Sequence, residues 1–201
     1  MKHHLDIQLL PNEEISIDLI WSRLYSQLHI AFVGIKDDKG RIPVGVSFPN
    51  FHYDQNKRIG FLGDKLRIFS PEKKFIENIN LDKWKNRLDD YIHKTNIQET
   101  PLDSVEGYAC YAPKRLYRSA FSRARRYAER HPDEAIDVQE LAKRMFRQAD
   151  TQGLPFLELQ SLSNGNPYRL YIEEQRIDVA PQGIQYFNTF GLSTQAYLPL
   201  F

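Results

Sequence analysis

An α+β fold is predicted for this chain from three observations. Residues 4–10 alternate Leu5, Ile7 and Leu9 with polar neighbours, the period-two pattern of a half-buried strand. The stretch K-R-L-Y-R-S-A-F-S-R-A-R-R-Y-A-E-R-H at 114–131 divides into two faces when wound at 100° per residue. Asn164-Gly165 stands between two strand-like runs, F-L-E-L-Q and Y-R-L-Y-I, a strong hairpin signal. Neither secondary structure can be absent.

The elements of the amino-terminal half follow in order. Pro11 ends the first strand, and Ser16 and Asn12 are both capping candidates for a helix over 17–32. Its core stripe is read as Ile17, Ile20, Trp21, Leu24, Leu28 and Ala31. His29 projects roughly opposite Ile20, outside that stripe. K-D-D-K-G-R at 36–41 is a turn, and V-G-V-S-F-P at 44–49 is a strand closed by proline. Residues 50–63 are polar with two glycines and read as a loop. K-L-R-I-F at 65–69 is another strand. Ser70-Pro71-Glu72 opens a helix with Pro71 in its first turn, and Trp84, Leu88 and Ile92 continue the spacing towards 93. An edge strand follows near 92–98. Strand, helix, strand, strand, helix, strand is the ferredoxin-like order.

E-T-P-L-D-S-V-E-G at 99–107 reads as a linker. The expected organisation is a ferredoxin-like domain over 1–98, that linker, and a second domain over 108–201. In the 114–131 helix, Arg115, Arg118, Arg123, Arg125, Arg126 and Arg130 share one arc. Leu116, Tyr117, Ala120, Phe121, Ala124, Tyr127 and Ala128 fill the other, and Glu129 is the one acid. Like charges at i,i+3 and i,i+4 repel by a few tenths of a kcal/mol each, so the crowding points to a polyanionic partner. Guanidinium forks match phosphate bidentately and can hydrogen-bond guanine edges. A membrane surface fits poorly, because the apolar arc has three alanines and two tyrosines but no aliphatic ridge. After the His131-Pro132-Asp133 break, a helix over 137–149 turns Val138, Leu141, Met145 and Phe146 inward. The tail is β-rich, with I-Q-Y-F-N-T-F at 184–190 as its last strand.

Net charge is +1 over 201 residues, so the basic helix is a local footprint on a balanced chain. Acids gather elsewhere, at Asp82, Asp89, Asp90, Glu99, Asp103 and Glu106. Cys110 is the only cysteine, which excludes an intrachain disulfide and a cysteine-based zinc site. M-K-H-H-L-D-I has no apolar signal region and no window is long enough to span a bilayer, so cytoplasmic residence is expected.

No phosphate-cradling glycine loop, H-E-x-x-H or G-x-S-x-G occurs, and no carboxylates stand at metal-binding spacing. Histidines, hydroxyls and a basic groove remain. Those groups suffice for cleavage of RNA by its own 2′-hydroxyl, where the protein supplies a base, orientation and charge stabilisation. Histidine suits the base role because its ordinary pKa lies near neutrality. By composition alone His29 is one surface histidine among His3, His4, His52, His93 and His131, and Ser161 and Ser163 are turn residues.

The chain resembles, end to end, the CRISPR-associated endoribonucleases of subtype I-F. The residues that carry the likeness are H-x-L-D-I at 3–7, Leu28-His29, G-V-S-F-P at 45–49 and L-G-D-K-L-R-I at 62–68. L-P-F-L-E-L-Q-S-L-S-N-G at 154–165, Y-R-L-Y-I at 168–172, F-G-L-S at 190–193 and the terminal P-L-F complete it. The resemblance implies cleavage of CRISPR repeat RNA at the 3′ base of a hairpin stem, with no metal or other cofactor. It implies a 2′,3′-cyclic phosphate, retention of the guide RNA, and membership of an interference complex with other protein subunits. It makes His29 the general base, Ser161 the holder of the nucleophilic hydroxyl, Ser163 its neighbour, and Tyr168 a platform under the terminal base pair. Lys114, Arg115 and Arg118 become candidate readers of that pair. Family members commonly carry tyrosine where this chain has Phe190, so one hydroxyl near the site is missing. That absence keeps open a second reading, a non-catalytic hairpin-binding subunit of the same complex. A DNA-binding or scaffolding protein using the basic helix is the third.

Overall fold

The computed structural model describes residues 1–81, 88–114, 116–148, 153–161 and 164–201, the side chains of 116–119 and 147–148 excepted. Strand β1 (His3–Leu9) turns Leu5, Ile7 and Leu9 into the core, as its alternation requires. Helix α1 (Ile17–Gly34) starts at Ser16, whose Oγ accepts the Leu19 N–H at 3.4 Å. Its buried stripe is Ile20, Trp21, Leu24, Tyr25, Leu28 and Phe32. Two expected members are displaced. Ile17 is 44% exposed because the first turn borders an open cleft with Phe61 and Phe156, and Phe32 rather than Ala31 follows Leu28 by one turn.

Strand β2 (Gly45–Ser47) is fully buried. The region expected as a loop instead holds a two-stranded hairpin, β3 (His52–Asp54) with β4 (Ile59–Phe61). Asp54 Oδ1 accepts the N–H groups of Asn56 and Lys57, and Arg58 takes φ +54°, so the turn is set by local side-chain bonds. Strand β5 (Lys65–Ser70) and helix α2 (Lys73–Ile79) follow. Glu72 is the N-cap of α2, which leaves Pro71 outside the first turn. The helix does not run on to 93. Asn80 adopts φ +49°, a left-handed C-cap, and Ile92 belongs to β6 (Ile92–Lys94). Asp82 and Trp84 lie outside the described residues. Beyond β6 comes the two-residue β7 (Gln98–Glu99).

These strands make one antiparallel sheet in the order β2-β5-β1-β6, with β7 also on β1. Helices α1 and α2 each cross over one intervening strand. Asp6 and Arg67 face each other across β1 and β5 in a 2.6 Å ion pair, and Arg67 Nη1 donates to the Phe201 carbonyl.

The second sheet comprises β8 (Gly107–Lys114), β9 (Phe156–Gln160), β10 (Pro167–Ile177) and β11 (Leu198–Leu200), in the order β11-β8-β10-β9. Helices α3 (Leu116–Arg130) and α4 (Val138–Gln148) are inserted between β8 and β9 and pack against each other. In α4, Ala142 is the buried residue, while Val138, Leu141, Met145 and Phe146 are half-buried. Ala149, the expected end of that helix, lies outside the described residues. The expected strand at 184–190 reduces to one bridge, Phe187 with Ile42, because the chain turns at Asn188. The terminal strand β11 replaces it as the edge of the sheet. One hydrophobic core serves both sheets: Leu5, Leu28, Phe48 and Ile68 are continuous with Tyr111, Leu157, Ile172 and Leu198. The architecture is α+β.

Candidate active site

Ser22, Tyr25 and His29 form a single stripe on α1, spaced i, i+3, i+7. Each touches a different part of the chain. Ser22 Oγ donates to the Glu158 carbonyl of β9. The Tyr25 hydroxyl donates to the Phe190 carbonyl at 2.7 Å. His29 Nδ1 lies 2.7 Å from the Thr189 carbonyl, and its ring stacks on Phe190 at 3.9 Å and 2°.

The tautomer of His29 follows from those contacts. A carbonyl oxygen only accepts, so Nδ1 must carry the hydrogen. In the neutral ring Nε2 then holds the lone pair and is the basic nitrogen. The stack on Phe190, of a kind worth about 0.5–1.5 kcal/mol, fixes the plane of the imidazole.

Thr189 and Phe190 are themselves held tightly. Asn188 Oδ1 accepts the Phe190 N–H at 2.8 Å and the Leu192 N–H at 3.3 Å. Gly191 has φ +70°, and a Cβ there would meet Val46 Cγ1 at 2.9 Å. Its carbonyl accepts the Val46 N–H at 2.9 Å, tying the turn to β2. Glycine is required on both counts.

The serine turn lies further along the same side. Tyr168 pairs with Leu159 across β10 and β9, and its phenol is close enough to Tyr25 to act on it electrostatically. Burial raises the Tyr25 pKa well above its ordinary value, and the Tyr168 phenol adds to the rise. Tyr25 is therefore a permanent donor. Burial also raises the pKa of Tyr168, although that ring keeps 37% exposure. Ser22 meets Glu158 and Tyr25 lies near the partner of Leu159, so α1 and β9 run in the same sense. Seven helical residues from Ser22 reach His29, a rise of about 10 Å. Three extended residues from Glu158 reach Ser161, also about 10 Å. His29 and the Ser161 turn thus belong to one end of the α1–β9 contact. Ser161 donates its N–H to the Asn166 carbonyl at 2.9 Å, and its carbonyl accepts the Gly165 N–H at 2.8 Å. The β9–β10 connection spans 161–166, longer than the two-residue turn that Asn164-Gly165 suggests. Ser163 lies outside the described residues.

The basic elements divide differently from expectation. Lys114 is the last residue of β8 rather than part of the helix, and it pairs with Glu173 at 2.9 Å. Proline at 113 cannot extend a helix backwards, and the ladder with β10 continues to Lys114. Arg115 lies outside the described residues, as do the side chains of Leu116, Tyr117 and Arg118. Arg123, Arg125, Arg126 and Arg130 are exposed on α3, while Ala120 and Ala124 are buried and Tyr127 and Ala128 half-buried. Phe121 departs from the apolar arc: it is 38% exposed, because α4 covers only the narrow alanine side of α3. Arg125 Nε contacts Glu129 at 3.2 Å, a solvent-facing pair of little energetic weight. The Nε groups of Arg126 and Arg130 donate to the Ser122 and Arg126 carbonyls one turn back. Both guanidinium groups keep further donors for a ligand.

Sequence reasoning missed Tyr25, Thr189 and Asn188. Tyr25 had a signal, standing four residues before His29 and therefore beside it on the helix. Thr189 acts only through its backbone and had none. Among the described residues, no three His, Cys, Asp or Glu side chains group as metal ligands, and no helix is long and apolar enough to cross a membrane.

A family model described as CRISPR-associated protein (Cas_Csy4) matches residues 4–201. The chain is 24% identical over 209 residues to a CRISPR-associated endonuclease Cas6/Csy4 of Escherichia coli (strain UTI89 / UPEC), with 100% of both chains covered. It is 29% identical over 208 residues to a CRISPR-associated endonuclease Cas6/Csy4 of Pseudomonas aeruginosa (strain UCBPP-PA14), again with 100% of both covered.

Proposed function

The chain belongs to the Cas_Csy4 family of CRISPR-associated proteins, and from that premise we propose that it is a metal-independent, hairpin-specific endoribonuclease. It cuts CRISPR repeat RNA at the 3′ base of the stem and remains on the guide RNA within an interference complex of other protein subunits. The names of both relatives support an endonuclease of the CRISPR system. The observation that carries the chemistry is the hydrogen bond from His29 Nδ1 to Thr189, which leaves Nε2 as the base.

In this reading Nε2 takes the proton of the substrate 2′-hydroxyl as that oxygen attacks the adjacent phosphorus. The bond from phosphorus to the 5′-oxygen breaks, and the imidazolium or water returns a proton to the leaving oxygen. The products are a 2′,3′-cyclic phosphate and a 5′-hydroxyl. Ser161 holds the nucleophilic oxygen, with Ser163 on the same turn. Tyr168 stacks beneath the last base pair, an interaction worth about 1–3 kcal/mol by analogy with other base–aromatic stacks. The half-exposed state of its ring suits that role. Arg123, Arg125, Arg126 and Arg130, with Arg115 and Arg118, grip the stem. Lys114 enters only if RNA competes with Glu173 for it. General rules hold the A-form major groove too narrow to read, and a short hairpin opened at its loop is the exception required.

The proposed organisation is a ferredoxin-like domain over 1–98, a linker over 99–107 and an RNA-binding domain over 108–201. The order β2-β5-β1-β6 with two crossover helices supports the first part. The deciding experiment incubates a repeat transcript with wild-type protein and His29→Ala in EDTA, followed by mass analysis of the 3′ end. Cyclic phosphate from the wild type and an uncut, bound hairpin with the variant are expected. Full cleavage by the variant would remove His29 from the mechanism. Wild-type protein that binds and never cuts would favour the non-catalytic reading.

A further inference from the structure

Phe190 carries no hydroxyl, yet its carbonyl is bonded by one from the other side of the site. We infer that Tyr25 is a positioning residue, whose hydroxyl clamps the 188–191 turn to α1 and so holds the His29 imidazole in its Nδ1–H tautomer and plane. The inference rests on the role proposed for His29 and adds the device that keeps it ready.

Three observations converge. Tyr25 is fully buried, so its ring cannot leave the helix and its hydroxyl has a defined reach. It donates at 2.7 Å to Phe190, the residue next to the carbonyl that receives His29 Nδ1. The same Phe190 offers its ring face to the imidazole at 3.9 Å. One peptide unit therefore sets both contacts of the histidine, and Tyr25 fixes that unit relative to the helix from which His29 projects. Asn188 braces the turn from its own side through the Phe190 and Leu192 N–H groups. Tyr25 and His29 are one turn apart, so clamp and base move as one body. A second-layer group that fixes the tautomer and orientation of a working histidine is a general device in metal sites and hydrolytic triads. The hydroxyl remains a donor at any pH at which the protein is folded, since burial holds its pKa far above the ordinary tyrosine value.

Tyr25→Phe removes only the hydroxyl and keeps the buried ring. Single-turnover cleavage at saturating protein should fall at least about fivefold, with the hairpin Kd within about twofold of wild type. In histidine-labelled protein, the ring nitrogen signals of His29 should move from a single Nδ1–H tautomer towards a mixture. If Tyr25→Phe folds poorly, Asn188→Ala loosens the same turn without touching the α1 core and should produce the same pair of changes. An unaltered rate overturns the inference, and so does a slowed rate with unaltered His29 signals. The His29→Ala arm separates the two claims. Full cleavage by that variant defeats the role of His29, while the nitrogen signals of Tyr25→Phe still report whether the clamp exists.

Discussion

Helices α1 and α3 use opposite designs. α1 buries Ile20, Trp21, Leu24, Tyr25, Leu28 and Phe32 against both sheets, and the ring it presents, His29, is gripped by residues 160 positions away. α3 is covered on its alanine side, chiefly by α4, and leaves Arg123, Arg125, Arg126 and Arg130 in solvent. The difference teaches where precision is needed. A proton-transferring group must be held within a fraction of an ångström, so it sits on the most constrained helix. A phosphate-binding face works by summed charge and counterion release, so long flexible side chains on a satellite helix suffice.

The contrast can be broken most sharply at His29. Replacement by alanine should lower the cleavage rate by roughly two to four orders of magnitude, the usual contribution of a general base, while gel-shift affinity stays near wild type. Loss of binding in step with cleavage would show that the two helices do not divide the labour.

On the arginine helix the expected effects are smaller and spread out. Arg123→Ala and Arg126→Ala should each weaken hairpin binding. Each should also lower the slope of log K against log salt by about one for every phosphate that the arginine had neutralised. Titrations at several salt concentrations read this directly. The cleavage rate at saturating protein should change little.

Gly191→Ala tests how far the rigidity of α1 depends on the turn opposite. The positive φ and the Val46 contact together should cost about 1–3 kcal/mol, seen as a lower Tm, and should slow cleavage more than binding. A comparable change on the α3–α4 side, at exposed Glu134 for example, should leave both unaffected.

The smallest expected effect concerns the strand beneath α1. His4 is buried between Phe69 and Phe201. Burial first, then the Arg67 charge, lower its pKa, with Asp6 opposing. Its folded pKa lies below the unfolded value, so the unfolded chain binds more protons between the two. Stability is fully present above the unfolded pKa of about 6.5 and falls as pH drops below it. Denaturant midpoints from pH 8 to 5 should decline less steeply in His4→Leu than in wild type.

Legibility in the sequence followed the range of the forces involved. The bounds of β1, β5, α1 and α3 could be read because apolar periodicity and capping are local. Residues 184–190 looked like a strand by composition, yet Asn188 and Gly191 bend them into the turn that holds His29. Pro71 looked like a helix opener, but the cap fell on Glu72, and Asn80 ended α2 before the apolar spacing ran out. Lys114 read as helical because its charge matched the arginines, whereas its backbone belongs to a ladder with Tyr171.

For the site, His29 and Tyr168 could be named from resemblance, but nothing in the order of residues tied Tyr25 to Phe190. The chain alone determined an amphipathic basic helix, an α+β composition and the helix that carries the histidine, since each depends on neighbours within a few positions. Only the folded molecule decided which nitrogen of that histidine is basic, because a carbonyl 160 residues downstream has to arrive before the proton has anywhere to point.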